Sequence, residues 1–183
     1  MNESCMRQWT GELDERKVAT VLSLGEEGGV GGGKWDDGVF SSIKQVDIVY
    51  GYSYIISIRT EYCDDNGNSI LSDKHGGNDD GTLKKVLLDY PNEYLVSIHG
   101  YMGDYDSYDE HYVIRSLTFE SNKRSFGPFG RKRGTRFWFP TTGLVKVVGF
   151  HGKSGWFLDS IGIKVVPVHN NTIISSVEGN INL

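Results

Sequence analysis

The chain has 183 residues, 24 of them glycine and only 4 proline, and a formal net charge of −5. That length suits one domain with a sizeable core, and the negative charge excludes the general attraction to nucleic acid or an anionic membrane that a positive field supplies. Ten Tyr, eight Phe and four Trp beside many Val, Ile and Ser favour short strands joined by tight turns, hence an all-β class.

Residues 1–16 are polar and patternless, with charges at Glu3, Arg7, Glu12, Asp14, Glu15 and Arg16 and no apolar run of signal-peptide or membrane-spanning length. They read as an N-terminal extension of a soluble cytoplasmic or nuclear protein. Cys5 falls within it and Cys63 in the body of the chain, and two cysteines without an export signal are expected to stay free thiols. Lys17 to Leu24 reads as a strand and Gly25 to Gly38 as a glycine-rich loop. Part of that loop, Gly28 to Lys34, approaches the phosphate-binding G-x-x-x-x-G-K pattern, but Trp35 stands where a hydroxyl should hold magnesium and no helix follows. No nucleotide site is expected.

Alternation then recurs in pairs. Ile56, Ile58 and Thr60 share one face against Ser57, Arg59 and Glu61; Leu117 and Phe119 oppose Ser116, Thr118 and Glu120; Ile161, Ile163 and Val165 oppose Gly162 and Lys164. These are half-buried antiparallel strands. They group into hairpins at Val46 to Tyr62, Tyr94 to Glu120 and Leu144 to Val166, with apices expected near Gly51-Tyr52, Gly100-Tyr101 and Gly152 to Gly155. Glycine clusters at 28–33, 76–81 and 127–134 precede the hairpins at a spacing of roughly fifty residues, the signature of a threefold repeat. Three four-stranded sheets facing one axis would bury an apolar face from each and expose the tips. After Val168 alternation fades, so the domain is expected over 17–168 with a C-terminal tail at 169–183.

Several motifs weigh little. Asp64 to Asn68 has its glycine too early for a calcium loop, and Asn66-Gly67 reads as a hairpin turn. The five His are scattered without metal-ligand spacing and are expected mostly at surfaces or edges, so no metal and no cofactor is expected. Acidic clusters at Asp36-Asp37, Asp79-Asp80 and Asp104 to Glu110 invite a two-carboxylate hydrolase, but loop acids are usually solvated and no pair is legible at catalytic separation. Lys123-Arg124 and Arg131-Lys132-Arg133 read as a solvated basic turn.

The pentapeptide Gly155-Trp156-Phe157-Leu158-Asp159 carries more chemistry. Sugar recognition needs a fixed carboxylate to accept hydroxyl hydrogen bonds, backbone N–H donors beside it, and an apolar wall for the ring's C–H face. This segment supplies all three; by spacing alone an ordinary hairpin carrying a surface Asp fits as well.

Together with Gly31 to Gly38, Pro91 to Leu95, Val113 to Phe119 and Ser125 to Gly130, this segment resembles the jacalin-related lectins, in the family's own order and over about Lys17 to Val168. The resemblance implies a β-prism of three four-stranded antiparallel sheets with pseudo-threefold symmetry, and a non-catalytic, metal-free sugar site. By motif position Asp159 would accept from sugar hydroxyls, Trp156 and Phe157 would donate backbone N–H groups beside Gly155, and Gly32 would donate from the facing loop. Tyr101 would line the pocket, with Met102 to Ser107 as a variable rim. The uninterrupted Gly31-Gly32 bond favours mannose or glucose, whereas the aromatic pair Trp156 and Phe157 looks like galactose-preferring members. A mannose- or glucose-type lectin, a galactose-type lectin on the same fold, and a protein-interaction module with a vestigial site are the readings left open. The first hairpin has Ile55 where a second site needs Asp; Gly100-Tyr101-Met102-Gly103-Asp104 keeps the G-x-x-x-D letters of a third. One shallow site per chain binds weakly, so a homo-oligomer is expected for multivalent capture.

Overall fold

The computed structural model describes residues 20–78, 80–106, 109–139 and 145–168, and every regular element in them is a β-strand. In chain order they are β1 (Leu22–Gly28), β2 (Gly33–Asp36), β3 (Ser42–Tyr50), β4 (Ile55–Cys63), β5 (Ser69–Leu71), β6 (His75–Gly76), β7 (Thr82–Leu87), β8 (Leu95–Asp106), β9 (Asp109–Ser121), β10 (Ser125–Gly130), β11 (Thr135–Trp138), β12 (Val145–Ser154) and β13 (Leu158–Pro167). The expected extension at 1–16 and tail at 169–183, with Cys5, lie outside the described residues.

Three antiparallel sheets result, each built on one long hairpin: β1-β13-β12-β2, β5-β4-β3-β7 and β10-β9-β8-β11. The second sheet's outer position is split, because β5 pairs with Glu61 to Cys63 while β6 pairs with Ser57 and Ile58. Between them the Ser72 hydroxyl accepts the Thr60 N–H at 3.0 Å and the Ser72 N–H donates to the Thr60 carbonyl at 2.8 Å, so the break leaves few backbone groups unmet.

The alternation legible in the sequence points inward. Ile58, Leu117, Phe119, Ile161 and Ile163 are fully buried and meet Ile48, Ile98, Phe150 and Leu158 in one core shared by all three sheets. Each such side chain contributes roughly 1.5–3 kcal/mol on burial, which makes the closed prism, not any single sheet, the stable unit. At the Asn66-Gly67 turn the Asp64 carboxylate accepts the N–H groups of Asn66 and Asn68 at 2.9 and 2.8 Å, and Gly67 takes a φ of +85°.

Four expectations change. β1 runs from Leu22 to Gly28, later than Lys17 to Leu24, because Gly25 and Gly28 at positive φ let the strand bulge between Leu24 and Glu27 and stay on β13. The glycine-rich loop also contains β2, which pairs with the end of β12. The third change is the apex of the Tyr94 to Glu120 hairpin: β8 continues through Gly100 and Tyr101 to Asp106, so the turn lies about six residues further on.

The fourth concerns Asp37. The Asp37 side chain is only 3% exposed; it receives the Tyr62 hydroxyl at 2.6 Å and lies 2.6 Å from His75 Nε2. His75 stacks on Trp35 at 3.9 Å, and the Tyr62 oxygen accepts the Phe150 N–H, so this acid ties the first sheet to the second. Burial, with the Asp37 charge beside it, holds the Tyr62 hydroxyl well above the ordinary phenol range. His151 is likewise mostly covered, against Ser23 and Glu26, so both His are partnered structural groups, His75 from the outer strand β6. Cys63 is a buried free thiol.

Candidate functional site

The β12–β13 turn is held by the Gly155 N–H donating to the Phe157 carbonyl at 3.0 Å, which turns the chain back so that Asp159 follows on β13. The Asp159 backbone carbonyl accepts the Gly29 N–H at 2.8 Å, bringing the glycine-rich segment across the carboxylate. Glycine is required there. A Cβ on Gly32, whose φ is +71°, would stand 2.5 Å from Asp159 Oδ2 and 2.4 Å from the Ser154 carbonyl carbon.

These loops frame a pocket of about 530 Å³ lined by Gly31, Gly32, Gly155, Trp156, Phe157 and Asp159, with Tyr105, His111 and Val113 supplied by the β8–β9 hairpin. Asp159 Oδ2 is buried without a hydrogen-bond partner. Burial pushes the Asp159 carboxyl above the ordinary carboxylate range, against the opposing pull of the Gly155 backbone and the His111 imidazole. Beside it is an aromatic cluster: Phe157 lies 4.7 Å from Tyr105 and 5.3 Å from Tyr54, and Trp156 is 79% exposed. A sugar ring fits this division into one polar edge and one apolar face.

Residues 24–164 match the family described as the jacalin-like lectin domain. The chain belongs to the jacalin-related lectin family. It is 49% identical over 146 residues to jacalin-related lectin 3 of Arabidopsis thaliana, covering 80% of this chain and 24% of that protein. With jacalin-related lectin 19 of the same plant it shares 39% identity over 165 residues, 90% of this chain and 91% of the other. The chain therefore spans about a quarter of the first relative and nearly all of the second. A solved mannose-specific jacalin-related lectin from Morus nigra, in complex with mannose, superposes with a TM-score of 0.74 at 35% identity over 82% of this chain and 97% of that one. The family is carbohydrate-binding and not enzymatic.

Of the residues read from the lectin motifs, Gly32, Gly155, Trp156, Phe157 and Asp159 come together in the pocket. Tyr101 and Met102 do not line it. They sit in the body of β8, where Tyr101 faces Arg136 and Ser116 across the strands and Met102 packs against the core. The extended hairpin brings Tyr105 to the pocket instead, and of the expected Met102 to Ser107 rim, Ser107 lies outside the described residues. His111 and Val113 were missed; that Tyr94 and Glu120 are equidistant from residue 107 could have located the turn between them. The Gly100 to Asp104 letters lie within β8 and form no turn, which removes the third sugar loop. In the first hairpin Tyr54 joins the aromatic wall, its hydroxyl donating to the Tyr105 carbonyl.

Two loops from other sheets brace this one. A Cβ on Gly77 would lie 2.2 Å from the Trp156 carbonyl oxygen, and one on Gly29 would lie 1.9 Å from that of Tyr112. Among the described residues no group of three or more His, Cys, Asp or Glu side chains could hold a metal ion.

Proposed function

We propose that the domain binds mannose- or glucose-type glycans, without a metal, in the pocket between the Gly31-Gly32 loop and the Gly155 to Asp159 loop. The observation that carries this is the Asp159 carboxylate lining one pocket with the Gly31-Gly32 backbone and the rings of Tyr105, Trp156 and Phe157. The mannose complex of the Morus nigra lectin supports the sugar class, as does the uninterrupted bond before Gly32. A galactose-type preference is the second reading, favoured by the aromatic pair Trp156 and Phe157 at the lip. Calorimetry decides between them. Methyl α-mannoside is expected to bind with a Kd of roughly 0.1–10 mM, since each sugar hydroxyl must trade water for protein, unchanged by excess EDTA; a stronger response to methyl α-galactoside, or a loss on chelation that calcium restores, refutes the assignment.

Weak single sites require company, so we also propose an oligomer in which two or more pockets act on one glycan-bearing surface. β1 is an edge strand with Leu22 half exposed, a surface suited to a second copy. Light scattering at micromolar concentration is expected to give at least twice the 20.5 kDa chain mass; a strict monomer rejects the idea. A buried free thiol at Cys63 fits residence in the reducing cytoplasm.

A further inference from the structure

The β12–β13 hairpin has a second end. Lys146 pairs with Val166 there, eight residues along β12 from Ser154, which places it roughly 25 Å from the sugar loop. Beside it opens a cavity of about 340 Å³, whose polar lining includes Ser41, Tyr90, Tyr94 and Lys146 and whose walls include Pro91 and Val166.

Lys146 is the unusual member. It is partly buried, and among the described residues it makes neither a hydrogen bond nor an ion pair. Burial holds the ammonium below the ordinary lysine range and outweighs the opposing pull of Cys63 and Asp65. A cation partly withdrawn from water is costly, and an anion that reaches it recovers part of that cost through a charge-assisted hydrogen bond. Neighbouring donors point to the same chemistry. The hydroxyls of Ser41, Tyr90 and Tyr94 line the same cavity. Cavities of this size with mostly apolar walls and a few convergent polar groups suit small organic molecules.

We propose that this cavity binds a small organic anion, a carboxylate carried on an aromatic or branched apolar body, with Lys146 as its counter-charge. The oxygens face the ammonium and the tyrosyl hydroxyls, and the body lies against Pro91 and Val166. This site is independent of the sugar pocket.

Phenylacetate is the probe, followed by amide-proton chemical-shift titration of the full chain. Shifts are expected to cluster at Lys146, Tyr90 and Tyr94. Lys146→Met, which keeps the side-chain length and removes the charge, is expected to weaken binding at least tenfold, and phenylacetamide is expected to bind at least tenfold more weakly than phenylacetate to the unaltered protein. Asp159→Asn and saturating methyl α-mannoside are expected to change nothing. In the unaltered protein the affinity should fall as pH rises, beginning below the ordinary lysine range. Undiminished binding by Lys146→Met or shifts centred elsewhere each overturns the site. Inorganic phosphate binding as tightly as phenylacetate would overturn the apolar half of the assignment.

Discussion

Asp159→Asn is expected to weaken methyl α-mannoside binding at least about 100-fold while leaving the melting temperature equal to or above that of the unaltered protein. The loss follows from charge: an ionised carboxylate gives hydrogen bonds worth roughly 1.5–3 kcal/mol each, and two of them account for the factor. The stability gain follows from the sign of the pKa shift. A carboxyl whose folded-state pKa lies above its unfolded value binds its proton more tightly when folded, so its ionisation at neutral pH opposes folding. Asn carries no such cost. In the unaltered lectin, sugar affinity should decline on acidification from a pH above the ordinary aspartate range, because protonation removes the acceptor. Calorimetry and thermal denaturation on the same samples decide the matter; a variant that loses stability along with binding would make Asp159 a structural residue.

The second large effect belongs to Glu93, whose side chain is 1% exposed yet charged. It accepts the Asp89 N–H at 3.0 Å, the Ser121 hydroxyl at 2.8 Å and two guanidinium N–H groups of Arg124 at 2.9 and 3.0 Å. Arg124, with the other donors, holds its carboxyl down at about 2. A depressed folded-state pKa means stability present above the unfolded value and lost as pH falls toward 2. Arg124→Gln removes the forked partner and leaves a buried carboxylate short of donors. Because the Arg124 side is more than half open to water, the cost at pH 7 should fall below that of a fully buried pair and show as a lowered Tm. The deficit should shrink between pH 4.5 and 2 as Glu93 becomes protonated in both proteins. Melts at pH 7, 5 and 3 test this, and a difference under about 1 °C at pH 7 would show that water already substitutes for the arginine.

What the sequence disclosed about the site was its local part. Gly155 to Asp159 places a carboxylate, backbone donors and aromatic rings within five residues, so one turn was enough to reveal it. Tyr105 fell within the expected rim, but His111 and Val113 depend on where a thirteen-residue strand meets its partner, and the glycines misled there. Gly100 serves close packing and not a turn: a Cβ on it would lie 2.0 Å from the Ser116 carbonyl oxygen across the ladder. In sequence the two uses of glycine look alike. Asp37 and His75 were obscured for another reason. They stand 38 positions apart on different sheets, and an acid in a glycine-rich segment looks solvated until the Tyr62 hydroxyl and the His75 ring, itself stacked on Trp35, close over it. The three hairpins and their inward faces were legible because period-two alternation is a property of the strand itself.

The aromatic wall takes Tyr54 from a turn of the second sheet, Tyr105 from the third and Phe157 from the first. The pocket lining itself joins the first and third sheets, with the Tyr54 ring of the second against it, so the pocket is absent from a chain in which those hairpins are undocked. A sugar held there is therefore a ligand of the native state alone, and mass action transmits its binding energy to every hairpin, including strands that never approach it. At a free sugar concentration one hundred times its Kd, the whole prism gains about 2.7 kcal/mol against unfolding. A glycan-rich surrounding would in this way act as a folding partner as well as a target.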